Sequence, residues 1–143
     1  MNKTIHYLEN QELVGQPGSK HSLLTPSLLL DLDILEDNIE SMAVFAKNKN
    51  IALRPHAKTH KSTKISQLQI NSGALGICCA TLGEAEVMIL GGINGVLITS
   101  PIIQDAKIRK LSQLNNSTES LMVCVDDMQN LKNIDFILFL SQL

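Results

Sequence analysis

Aromatic side chains are scarce in this chain: 143 residues contain no tryptophan, one tyrosine and three phenylalanines. That leaves little from which to build a platform for stacking nucleic-acid bases. Charge is modest too, with 12 basic against 14 acidic residues and a formal net charge of −2. Neither nucleic acid nor an anionic membrane surface is therefore an expected partner. The three cysteines, Cys78, Cys79 and Cys124, are odd in number, and two of them are adjacent inside an apolar run. They do not describe a disulfide framework. No apolar stretch approaches the ~20 residues of a membrane-spanning helix. The opening segment is polar and carries no apolar signal-peptide core, so a cytoplasmic location is the expectation. Gly-x-Gly-x-x-Gly and the phosphate-loop pattern are also missing after every apolar run, which argues against a nucleotide-binding open sheet.

What is present is one unit repeated. Residues 1–24 read as a flexible lead-in, with Gly15, Pro17 and Gly18 as breakers. Thr25-Pro26 opens SLLLDLD, an expected strand. Asp33 and Glu36 have capping-box spacing ahead of a helix carrying Leu35, Ile39, Met42, Ala43 and Ala46. Further strands are expected at 51–58, 76–80, 95–99 and 121–125. Each is followed by helix-starting residues: Ser62, Thr81 with Glu84, Ser100-Pro101 and Asp126-Asp127. Short apolar strands alternating with helices predict an α/β fold of parallel βα units, either a (β/α) barrel or an open doubly wound sheet. Polar residues along one face of 51–58 favour the barrel. Its chemistry would sit at the C-terminal strand ends, where Lys58, Thr81, Ser100 and Asp126 fall.

The densest chemistry is RPHAKTHK, Arg54 to Lys61. On a strand, Ala52, Arg54, His56 and Lys58 share one face. Neighbouring positive charge and partial burial favour the neutral, nucleophilic amine of Lys58. That suits a Schiff base with an aldehyde cofactor; a solvated lysine at a strand end is the plainer alternative. His56 and His60, with Cys78 or Cys79, are alternatively a zinc set, and structural histidines are a simpler option again. Arg54 serves either to support a cofactor or to form an ion pair. Thr81 and Glu84 are first of all a helix cap. Cys78 and Cys79 are expected in the core, and Ser100 and Asp126 as helix caps.

Three blocks carry a resemblance: TPSLLLDLDILEDNI, LRPHAKTHKS, and GALGICCATLGEAEVM with GVLITSP. Together they resemble the N-terminal region of the D-threonine aldolase and D-serine dehydratase-like family, pyridoxal 5′-phosphate (PLP) enzymes with an alanine racemase-like barrel. The resemblance implies that Lys58 holds the cofactor covalently, with His56, Arg54 and Thr81 among its surroundings. It implies small D-configured 3-hydroxy amino acids as substrates, cleaved by a retro-aldol step to glycine and an aldehyde. The alternative is a D-serine dehydratase-type elimination; a non-catalytic PLP-binding protein or an inactive fragment is the opposing expectation. A divalent metal is typical of the family, but its ligands lie in a C-terminal β domain without a counterpart here, so no residue is assigned to metal. Full-length members are expected to dimerise. A complete barrel needs ~250 residues. The chain is accordingly read as a partial barrel cut at about half, with residues 25–135 forming its N-terminal part and 136–143 a divergent tail. On its own it is expected to be inactive.

Overall fold

Ile77, Cys79, Val96 and Ile98 alternate with half-buried neighbours, and all four are fully buried in the computed structural model, which describes residues 10–13 and 15–140. This period of two creates strands β1 (Ile77–Cys79) and β2 (Val96–Ile98), each with one face turned into the core. β3 (Leu121–Val123) completes a parallel sheet in the order β1-β2-β3. Ile77 lies opposite Val96, and Val96 opposite Leu121. Among the described residues five α-helices accompany the strands: α1 (Leu32–Asn48), α2 (Thr63–Asn71), α3 (Leu82–Leu90), α4 (Asp105–Asn115) and α5 (Met128–Leu140). Leu82, Ala85, Met88 and Ile89 of α3 share one core with Ile108, Leu111 and Leu114 of α4, and with Ile134 and Ile137 of α5. Burying a side chain such as Ile77 contributes ~1.5–3 kcal/mol. The opposite face of the sheet holds Cys78, Leu97, Thr99 and Met122, all only half-buried. Among the described residues no helix is long and apolar enough to cross a membrane.

The chain divides into two compact units, residues 1–35 and 36–143, with the boundary inside α1. Of the expected lead-in, residues 1–9 and Val14 lie outside the described residues. The described part of the first unit makes two 3-10 turns, Gln11–Leu13 and Ser19–Ser22. The Asn10 side chain accepts a hydrogen bond from the Leu24 amide at 2.8 Å. SLLLDLD is not a strand: its backbone has no ladder partner among the described residues, and Leu28 is fully exposed. α1 also starts earlier than Asp33, because the Asp31 carboxylate accepts the Ile34 amide proton at 3.2 Å and caps the helix.

Three further expectations change in the second unit. Residues 51–58 do not form a regular strand; they are extended only as far as His56, and Ala57–Thr59 turns into a 3-10 helix. Pro55 within that segment has no amide proton to give a ladder. Ser100-Pro101 does not start α4, which begins at Asp105. The intervening Ile102 is drawn into the core, and the Asn130 side chain donates to its carbonyl at 2.8 Å. At the start of α5, Asp127 rather than Asp126 accepts a backbone proton, from Asn130 at 2.8 Å. The caps at Ser62 and Thr81 form as expected, accepting from Ile65 and Glu84 respectively. The 136–143 tail begins inside α5, which continues to Leu140; residues 141–143 lie outside the described residues.

Candidate functional site

The approach to Lys58 is held as a fourth, irregular lane beside β1. The Leu75 amide donates to the Leu53 carbonyl at 2.8 Å, and the Cys78 amide to Pro55 at 2.7 Å. His56 bridges Cys78 in parallel register. The next residue, Ala57, is 1% exposed and plugs the turn into the core. Lys58 is consequently turned outward at the C-terminal end of the lane. Its ammonium has no hydrogen-bonding or ionic partner among the described residues.

The His56 ring sits between two fixed groups. Its Nδ1 accepts the Lys58 amide proton at 3.3 Å, and its Nε2 lies 3.4 Å from Thr99 Oγ1. Thr99 comes from the residue just after β2 and was not among the residues singled out from sequence. Its position two after Leu97 puts it on the same face of the sheet, but only the tertiary pairing reveals that it meets His56.

Beyond Lys58, the chain is pinned by two more contacts. His60 Nδ1 accepts the Ser62 amide proton at 3.0 Å, which supports the start of α2. Burial pushes the His60 pKa down, against smaller upward effects from Gln69 and the Ser62 backbone. Lys61 adopts a left-handed φ of 49° and reaches Glu84 at 3.6 Å. Glu84 also accepts the Ala80 amide proton at 2.8 Å, while its own amide donates to Thr81 Oγ1 at 3.2 Å. The Ala80 bond, aided by Lys61, holds the Glu84 carboxyl below its usual range although desolvation acts the other way. Thr81 is therefore a working helix cap beside the site.

Arg54 lies apart from Lys58. Its guanidinium donates to the carbonyl of Gly95, just before β2, and passes close to Gly76, just before β1. Both glycines mark the N-terminal ends of the strands, whereas Lys58, Thr81 and Thr99 mark the other end. The zinc alternative does not assemble. Among the described residues no three His, Cys, Asp or Glu side chains converge on a metal position. Cys79 is in the core, while Cys78 is on the half-open face and donates to the Arg54 carbonyl at 3.4 Å. Cys78 is therefore not the core residue expected. Burial raises the Cys79 thiol pKa to about 11, and raises that of Cys78 despite Arg54.

At the same end as Lys58, a cleft of about 320 Å³ is lined by Thr81, Leu82, Ile98, Ser100, Gln104 and Lys107, among others. A cofactor that bonds through an aldehyde needs an accessible amine free of a carboxylate partner. Lys58 meets that requirement and Lys61, tied to Glu84, does not. The residues present thus fit the aldehyde end of PLP.

No protein-family model matches the chain. Similar proteins of known activity do. The 3-hydroxy-D-aspartate aldolase of Paracoccus denitrificans is 39% identical over 130 residues, which is 90% of this chain and 34% of that protein. This chain is also similar to the D-threonine aldolase of Arthrobacter sp., 39% identical over 84% of this chain and 32% of that protein, and to the D-serine dehydratase of Dictyostelium discoideum, 28% identical over 80% of this chain and 30% of that protein. The crystal structure of D-threonine aldolase from Filomicrobium marinum matches with a TM-score of 0.81 at 41% identity, over 84% of this chain and 32% of that one. D-threo-3-hydroxyaspartate dehydratase from Delftia sp. HT23 matches with a TM-score of 0.78 at 29% identity, over 85% of this chain and 32% of that one. The chain spans about a third of the length of the relatives it matches.

Proposed function

We propose that this chain is the lysine-bearing, N-terminal part of a PLP-dependent lyase acting on D-3-hydroxy amino acids. The reaction favoured is retro-aldol cleavage of a D-threonine-type substrate to glycine and an aldehyde. The observation that carries the proposal is the unpartnered amine of Lys58 at the C-terminal end of a parallel sheet, in a chain similar to aldolases of this kind. Chain order matches sheet order from the 53–56 lane through β3, which supports a partial (β/α) barrel as the architecture. Three free thiols are in keeping with a cytoplasmic setting.

In this reading PLP, bound through Lys58, supplies the electron sink for the bond cleavage. The chain's own residues do the positioning. Ala57 anchors the turn, His56 ties the Lys58 amide to the sheet, and the Thr81 cap fixes the neighbouring strand end. Arg54 acts from beneath by fastening the 53–56 lane to the start of β2. A D-serine dehydratase-type elimination is the second reading, favoured by the dehydratases among the relatives.

The test is addition of PLP to the purified chain, followed by borohydride reduction and peptide mapping. A Schiff-base absorbance band and label on Lys58 are expected, and Lys58→Met should remove both. Label confined to Lys61 or Lys64, or no label at all, would overturn the assignment.

A further inference from the structure

Thr99 was given no role within GVLITSP, yet its hydroxyl is the side-chain group that the His56 ring meets. The hydrogen bonds around it can be assigned by counting protons. The Cys79 carbonyl accepts twice from Thr99, from its amide at 2.9 Å and from its hydroxyl at 3.1 Å. The single hydroxyl proton of Thr99 is thereby committed to Cys79, and only oxygen lone pairs face His56. Nε2 must then be the donor. On the other side of the ring, Nδ1 accepts the Lys58 amide proton and so carries none of its own. Both contacts agree on one tautomer.

We propose that Thr99 is a positioning residue: by accepting the Nε2–H of His56, it locks that ring as the neutral Nε2–H tautomer. Through the ring it fixes the turn bearing Lys58. Protonating or inverting the imidazole would set an Nδ1–H against the Lys58 amide, donor against donor. In this arrangement the ring's one lone pair is already engaged, so His56 is a strut and not a base. The reference point is a firm one. β2 is paired on both sides, and the Cys124 amide donates to Ile98 at 3.0 Å immediately before Thr99. A β-branched side chain at a strand end also has few χ1 alternatives. The placement of the Lys58 amine is thus set by a strand two lanes away. Its functional consequence rests on the proposed role of Lys58.

The test uses the whole chain labelled with ¹⁵N. Long-range ¹H–¹⁵N correlation at pH 8, with His56→Gln for assignment, should show His56 with an unprotonated Nδ1 and a protonated Nε2. Thr99→Val should reduce that preference, which the Lys58 amide alone then supports, and weaken PLP binding at Lys58 about fivefold, the loss of one ordinary hydrogen bond. Thr99→Ser should restore both. An Nδ1–H or doubly protonated ring in the unmodified chain would overturn the inference, a result that does not depend on the variants folding. So would a tautomer unmoved by Thr99→Val, or no recovery with Thr99→Ser. If the ring behaves as expected while Lys58 takes no PLP, Thr99's hold on His56 stands and the cofactor proposal falls.

Discussion

Replacing Glu84 probes the junction between the Lys58 loop and the sheet, because three interactions meet at one carboxylate. Its bond to the Ala80 amide, at 2.8 Å, is charge-assisted and contributes about 1.5 kcal/mol. The Lys61 pair adds no more than about 0.5 kcal/mol, since Lys61 is 69% exposed and the separation is 3.6 Å. A negative charge in the first turn of α3 adds about 0.5 kcal/mol against the helix dipole. Glu84→Ala should therefore cost about 2 kcal/mol in urea denaturation, and Glu84→Gln about half of that, because the amide oxygen keeps the Ala80 bond. The pH dependence follows from the depressed carboxyl pKa. A carboxylate favoured in the folded state contributes stability above its unfolded pKa of about 4.3, and loses it as pH falls through the folded value. The gap between the unmodified chain and Glu84→Gln should accordingly close under acid. Glu84→Ala within about 0.5 kcal/mol of the unmodified chain, the range of an ordinary surface change, would refute the reasoning. So would a gap that widens below pH 4.

Other outcomes can be checked with the same material. Cys124 is exposed, Cys78 half-buried and Cys79 buried with its pKa raised to about 11; iodoacetamide with mass mapping should modify them in that order, Cys79 only on unfolding. Gly76→Ala should unfold or severely destabilise the chain. Gly76 has φ of +146°, and a methyl there would overlap the Gly95 carbonyl oxygen and sit 2.5 Å from the Arg54 guanidinium; loss of a cooperative thermal transition is the measurement. Ile77→Ala removes a fully buried side chain between α3 and the sheet and should cost ~2–5 kcal/mol in denaturant titration.

The parts of the fold legible in the sequence were those in which one local rule and the tertiary environment agree. β1 to β3 are short apolar runs, and Ser62 and Thr81 cap the helices that follow because their hydroxyls face open amides. The failures share a cause. SLLLDLD has strand composition, but a strand exists only where a neighbour supplies ladder partners, and none does among the described residues. Ser100-Pro101 has the chemistry of a helix start, yet Ile102 gains more from the core than from a helical turn. For the site, Lys58 and His56 were visible as an unusual cluster next to an apolar run. Thr99 was not, because a threonine at a strand end gives no signal until strand register brings it opposite a particular ring.

Arg54 sharpens this point about the cluster. Its charge and its closeness to Lys58 in sequence suggest a shared electrostatic role, but the lane is extended only as far as His56 and turns at Ala57–Thr59 before Lys58 can share its face. The guanidinium then follows its own side of the lane back to Gly95, while Lys58 lies past the turn at the other end. Gly76 and Gly95 are the complement of that arrangement: side chains at either would occupy the space through which the Arg54 side chain reaches the backbone. RPHAKTHK therefore divides by position. Arg54 ties the lane to the start of β2, His56 ties it to the end of β2 through Thr99, and the paired Lys61 closes the far side against Glu84. Among the described residues, Lys58 is the one cation of the run whose amine is left free at the strand ends. If this division is right, Arg54→Met should lower stability by loosening the sheet. It should leave the ratio of label on Lys58 to label on Lys61 unchanged.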